Sequence, residues 1–213
     1  MRNMPYRTLF TAIWLLSTLL ISPAGAQVPP DCEIGDDVLQ GIRQMLTAPD
    51  NGVFFEIWTN EEIACACIEL YYNDPPDAFL HDRVITGAVV LLGMTGDPRA
   101  VPVLIDAIDT HPPQALYNLG SFPTVDALNA LRAHVRDENP EARENAAEGL
   151  RMMAAPSEGE IEDGWLDALI AARDEVGEWM LIEPEADFRD YFIDAYTNLE
   201  RLIASATAAS GTQ

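Results

Sequence analysis

Cys32, Cys65 and Cys67 are the only thiols of this chain, and His81, His111 and His134 its only imidazoles. Cys65 and Cys67 stand one residue apart with no second pair at ligand spacing, so the zinc pattern is incomplete. The histidines fall on different segments, and no His-Glu-x-x-His helix sets two of them on one face. The acid run Glu158-Gly159-Glu160-Ile161-Glu162-Asp163 lacks the Asp-x-Asp-x-Asp-Gly order that wraps oxygens around calcium. Gly-x-Ser-x-Gly is absent, which removes the strained turn of a hydrolase nucleophile. The phosphate-cradling Gly-x-x-x-x-Gly-Lys loop is excluded because the chain contains no lysine. Paired carboxylates are abundant, but 35 acids in 213 residues make chance pairs the expectation. The motifs therefore read as a non-enzyme with no metal and no cofactor.

What the cysteines do support is a cross-link. On a helix predicted over 61–72, 100° per residue puts Cys67 in the apolar arc of Ile63, Ala64, Ile68, Leu70 and Tyr71. Cys65 falls among Glu61, Glu62 and Glu69. The two point apart and cannot pair with each other without unwinding the helix. Cys32 is the partner for one of them. Cys65 is the expected one, since an exposed thiol reacts in an oxidising compartment, while Cys67 stays buried as a small apolar residue.

That compartment is read from the first 26 residues. Arg2 and Arg7 precede an apolar stretch from Leu9 to Ile21, and small residues surround Ala24-Gly25-Ala26. Thirteen helical residues rise only ~20 Å, short of a ~30 Å hydrocarbon core. Residues 1–26 are thus expected to be a secretory signal, leaving a periplasmic or secreted monomer that does not insert in a membrane.

All 12 bases are arginines, against 35 acids. Loss of Arg2 and Arg7 with the signal leaves ten, and a net charge of −25. Such a field repels phosphate backbones and anionic headgroups, which disfavours nucleic acid and membrane surfaces. It suits solubility, and it also suits docking to a basic protein.

The elements repeat. Ala88 to Leu92-Gly93 returns as Ala115 to Leu119-Gly120 and again as Ala146 to Leu150-Arg151. The leucines step by 27 and then 31 residues, and a second apolar block follows each copy: Val101 to Leu104, Val125 to Leu128, Leu166 to Leu169. Two apolar helical blocks per near-30-residue period mark a stack of helical hairpins. The arms are expected at 77–92 and 98–108 around a Gly93-Met94-Thr95-Gly96 turn, at 114–119 and 123–135, and at about 140–153 and 161–176. Asp97 before Pro98, and Asn139 before Pro140, read as helix starts. Residues 27–76 read as an N-terminal helical cap region, with one helix along Val38, Leu39, Ile42, Met45 and Leu46. Residues 53–58 fit a short strand, a helix or a buried loop. From Pro184, the apolar stripe of Phe188, Phe192, Ala195, Leu199 and Leu202 predicts a capping helix over 184–204. Residues 205–213 are small and polar, and are expected to be a disordered tail.

Leu92-Gly93, Gly96-Asp97-Pro98-Arg99-Ala100-Val101-Pro102 and Leu104-Ile105 resemble the turn and second helix of the HEAT repeat family, in the variety shared with phycobilisome lyase subunits. Arg143 to Leu150 resembles its first helix, whereas Ile85 stands where the family has an arginine. The resemblance covers about residues 77–176. It implies an all-α, right-handed α-solenoid of about three HEAT-like hairpins that binds proteins; it does not bring lyase activity with it.

In such arrays the second helices line the concave side. Val101, Leu104, Ile105 and Ile108 take the inner arc there, leaving Arg99, Asp106 and Asp109 toward solvent, with Asp126 and Asp167 at comparable positions. Arg132, Arg136 and Arg173 interleave and are expected to dilute the acidic stripe. The function read from this is an exported interaction or assembly module that holds another protein, a basic one by charge, on its concave face. The alternative is an enzyme or ion-binding accessory with a site in the Cys32–Cys67 region.

Overall fold

The computed structural model describes residues 32–48, 58–76, 80–156 and 162–210, with side chains through 208. The signal segment 1–26, the lead-in 27–31, residues 53–57 of the ambiguous block and the acids Glu158 and Glu160 lie outside them. The described residues form helices joined by turns and loops, without a strand. In order these are α1 (Asp36–Thr47), α2 (Asn60–Asn73), α3 (His81–Thr95), α4 (Ala100–Ala107), α5 (Pro112–Leu119), α6 (Val125–Ala133), α7 (Pro140–Met152), α8 (Trp165–Met180) and α9 (Arg189–Ser210).

Local chemistry sets the ends. A capping box opens α2: Thr59 Oγ1 accepts from the Glu62 amide at 3.2 Å, and Glu62 Oε2 accepts from the Thr59 amide at 2.8 Å. Asn139 accepts from the Glu141 amide at 3.0 Å, and Pro140 then occupies the first helical position of α7, where its missing N–H costs nothing. Asp97 accepts from the Arg99 amide at 3.0 Å and so opens α4. Glu162, within the acid run, accepts from the Val125 amide at 2.8 Å and ties the 162–164 loop to the start of α6.

The helices form an α-solenoid of two layers. α1, α3, α5, α7 and α9 pack in series as one layer, and α2, α4, α6 and α8 as the other. The apolar residues of the repeat face inward between the layers: Leu92, Leu104, Leu116, Leu119, Leu128, Leu131 and Leu150 are fully buried. Each contributes about 1.5–3 kcal/mol of burial. The motif glycines set the spacing within the first layer. A Cβ on Gly120 would lie 2.5 Å from the Gly149 carbonyl oxygen and 2.7 Å from its Cα. The α5–α7 crossing is therefore close enough that backbone meets backbone, and only glycine fits.

The last helix closes the stack by packing on both α7 and α8, with Phe192, Ala195, Leu199 and Leu202 buried. A buried ion pair holds the connection before it. Arg143 donates from Nε and Nη2 to the two oxygens of Glu183, each at 3.0 Å, and from Nη1 to the Asp137 carbonyl at 2.9 Å. Glu183 also accepts from the Trp179 indole at 2.5 Å and the Glu185 amide at 2.9 Å.

Four expectations need correction. The Gly93-Met94-Thr95 stretch is helical, so the turn after α3 begins only at Gly96, whose φ of 67° is the left-handed conformation that glycine supplies. α9 starts at Arg189 rather than 184, because the Arg143–Glu183 pair organises the residues before it. It then runs through Ser210, so most of the stretch expected as a disordered tail over 205–213 is helix, the small residues of 204–210 being compatible with it. Finally, Cys65 is not on an exposed arc. It bonds to Cys32 as expected, with Cα atoms 5.0 Å apart, but is itself buried. The N-terminal segment that carries Cys32 covers that side of α2, while Cys67 is a free, buried thiol.

Candidate binding cleft

The connections from α2 to α3, from α4 to α5 and from α6 to α7 follow the same layer change, so successive repeats set them along one edge. His81 and His111 are 30 residues apart, one repeat period, and this edge brings them into one cleft. Tyr71 and Tyr72 at the end of α2, His81, Asp82 and Ile85 at the start of α3, and Thr110 and His111 before α5 line about 610 Å³. The sequence scattered the histidines over different elements; the signal that could have joined His81 and His111 was that each stands at or just before the start of a repeat's first helix.

The walls are held in place. Tyr71 and Tyr72 meet edge to face with ring centres 5.1 Å apart. The Tyr72 hydroxyl donates to Asp106 at 2.9 Å. His81 Nδ1 lies 3.0 Å from Asp74 Oδ2, and the same carboxylate accepts from Arg43 Nε at 2.6 Å. Asp74 is buried, so this pairing answers its charge. His111 Nδ1 lies 2.9 Å from the Thr110 hydroxyl.

Electrostatics sort the groups. Burial pushes the His111 imidazole below its ordinary range; Asp82 opposes that shift and His81 adds to it. Tyr71 is raised by burial and by the charges of Asp106 and Asp109, against a contribution from Thr110. Tyr72 is raised by burial, by its bond to Asp106 and by that carboxylate's charge. Both phenols are therefore neutral at neutral pH.

Asp106 and Asp109 border the cleft and are exposed. Asp126 on α6 and Asp167 on α8 are exposed too, on successive helices of the same layer. Arg99 stands apart from them, its guanidinium engaged by Asp97 at 2.6 Å and Glu61 at 3.3 Å. Two of the three arginines expected to dilute the stripe are answered by other acids, Arg132 on α6 being the third. Arg136 pairs with Glu175 and Glu178, and Arg173 with Asp174 and Glu200. Asp126 and Asp167 have a local role, since each occupies the first turn of its helix and meets the positive end of the dipole. Asp106 and Asp109 have no such role: they sit in the last turn of α4 and just beyond it, where the helix's own carbonyls repel them.

The opposite layer differs in kind. Val90, Met94, Tyr117, Met152 and Ile193 are the exposed large apolar residues on described helices, and all lie on α3, α5, α7 or α9. In the Cys32–Cys67 region the thiols are either bonded or buried, and no three described His, Cys, Asp or Glu side chains converge as metal ligands.

Fold and site together define an acidic α-solenoid of HEAT-like helical hairpins. The comparisons agree: residues 86–110 match the PBS lyase HEAT-like repeat. The chain is also similar to the deoxyhypusine hydroxylase of Eremothecium gossypii, 30% identical over 105 residues, which is 46% of this chain. It spans about a third of that relative, 31% of its length. No solved structure matches. The reading of the motifs as a non-enzyme is overturned by this relative, which is named as an enzyme: the short motifs tested are those of other folds, and a site assembled between repeats leaves no such motif.

Proposed function

We propose that this chain is an exported helical-repeat module that holds another protein, of basic character, on the α2–α4–α6–α8 layer beside the Tyr71–His111 cleft. One observation carries the reading: Asp106 and Asp109 stand exposed at the C-terminal end of α4, against its dipole, with the Tyr72 hydroxyl alone among the described residues bonded to Asp106, while Arg136 and Arg173 of the same layer are engaged elsewhere. A charge placed where its own helix disfavours it is explained by a partner of opposite sign. The signal-like residues 1–26 and the oxidised Cys32–Cys65 pair support export.

The test is capture from the exported fraction across a salt series, with the wild-type chain and with Asp106, Asp109 and Asp126 all changed to asparagine. Capture of a basic protein should weaken as the Debye length falls below ~10 Å, near 0.1 M salt. The triple variant should associate more slowly, with dissociation little changed. Salt-independent capture, equal for both chains, would reduce the acids to a solubility device.

A second reading rests on the hydroxylase relative alone: the same cleft would face a residue to be hydroxylated. Mass spectrometry of the captured partner, before and after incubation with the chain, dioxygen and a reductant, would detect the one added oxygen atom, the other leaving as water.

A further inference from the structure

Resting on the interaction reading, we infer that the Tyr71–His111 cleft takes an organic cation, the arginine or lysine side chain of the partner, and so is the point at which that partner is anchored.

Three features of the cleft select this class. Its aromatic wall is built from Tyr71 and Tyr72, whose mutual edge-to-face contact and bond to Asp106 fix the rings. A guanidinium or ammonium over such a ring is attracted by its negative face. Around that wall stand Asp82 on α3 and Asp106 and Asp109 at the end of α4, all exposed. Asp82 and Asp109 bear on the cleft through their charges, Asp82 on His111 and Asp109 on Tyr71. Arg43 and Arg83, the arginines of the neighbouring helices, are turned to other work. Arg43 binds Asp74, and Arg83 donates to the Ala48 carbonyl at 2.7 Å. Of the remaining lining groups, Thr110 presents a hydroxyl, and His111 an imidazole that burial pushes below its ordinary range, while His81 is turned to Asp74. A volume of about 610 Å³ admits a long side chain and the backbone that carries it.

An anion is disfavoured by three carboxylates, and a purely apolar group would leave Asp82 and Asp109 as they are. A bare metal ion finds no converging trio of described ligands. An extended cation with a flat or compact charged head satisfies both the rings and the carboxylates.

The experiment titrates N-acetyl-arginine amide, N-acetyl-lysine amide and the neutral isostere N-acetyl-citrulline amide into the purified, disulfide-bonded protein, followed by backbone amide NMR. The two cations should shift resonances around Tyr71, Tyr72, Asp82, Thr110 and His111, and citrulline should not. Changing Asp82 and Asp109 together to asparagine should weaken the cations roughly five- to tenfold, about 1–1.4 kcal/mol for the two together. Tyr71→Leu should weaken them roughly two- to fivefold, the worth of an exposed cation–π contact. Shifts spread over other surfaces, or equal shifts with citrulline, would overturn the inference.

The same variants separate this idea from the reading it rests on. If a basic partner is captured and Asp82→Asn with Asp109→Asn leaves capture unchanged, the cleft is not the anchor and the interaction reading stands. If the amino-acid amides bind the cleft but no partner is captured, the cation site stands and the interaction reading falls.

Discussion

Removing Glu183 tests the structural logic at the closed end of the stack. Its carboxylate accepts two bonds from Arg143, one from Trp179 and one from the Glu185 amide, and both it and Arg143 are buried. In Glu183→Ala the guanidinium stays buried with its charge unanswered, which costs about 3–5 kcal/mol. For a chain of this size 1 kcal/mol is worth about 2–4 °C, so Tm should fall by roughly 6–20 °C. Urea unfolding followed by Trp179 fluorescence measures the loss, and hydrogen exchange should show α9 opening first, since a solenoid end contacts only its last neighbours. Replacing both partners, as Arg143→Met with Glu183→Met, should recover most of the stability, because no charge is then left buried. The exposed pair Arg173–Glu200 is the control; breaking it should leave stability nearly unchanged. A loss below ~1 kcal/mol in Glu183→Ala, or a double variant as damaged as the single, would refute the account of this pair.

Four further outcomes are expected. Acid should destabilise the fold through three carboxyls held below their usual range. Asp97 is lowered by Arg99, Asp137 by the Asn139 amide and His134, and Glu183 by Arg143, the Glu185 amide and Trp179 against the opposing effect of burial. Stability from these groups is complete above the unfolded values near ~4 and is lost as pH falls through the lower folded ones, so Glu183→Ala should flatten that part of the pH–stability curve. Gly120→Ala should destabilise by several times the ordinary helix-propensity gain of ~1 kcal/mol, as read by thermal unfolding, because its Cβ meets Gly149 backbone that cannot step aside. Cys32→Ser opens the cross-link to Cys65, with a sequence separation of 33, and should lower stability by about 3–4 kcal/mol. In the intact protein, where burial pushes the Cys67 thiol up, alkylation should reach that one cysteine only on unfolding.

The repeat architecture was legible because it is written in local periodicity. Ala88 to Leu92, Ala115 to Leu119 and Ala146 to Leu150 each place small and large apolar residues on one helical face, and proline and asparagine mark the breaks at Pro112 and Asn139-Pro140. Helix ends were less legible where a distant group decides them: Glu183 receives its partner from 40 residues away, and that contact moved the start of α9. The pairing of Cys32 with Cys65 was expected for a reason only half right, since the helix phase that separated Cys65 from Cys67 held while the exposure assigned to Cys65 did not. Asp106 and Asp109 were singled out from their outward phase on a single helix. Their neighbours in the cleft were not, because Tyr71, His81 and His111 belong to three connections that meet only when one repeat stacks on the next. The sequence by itself determined the helices, their pairing into hairpins and the acidic charge, all of which depend on residues within one turn or one period of each other. Tertiary structure alone decided which acids are answered by arginine, which edge gathers the histidines and tyrosines, and how closely α5 crosses α7, because those depend on the rotation and separation of one repeat against the next.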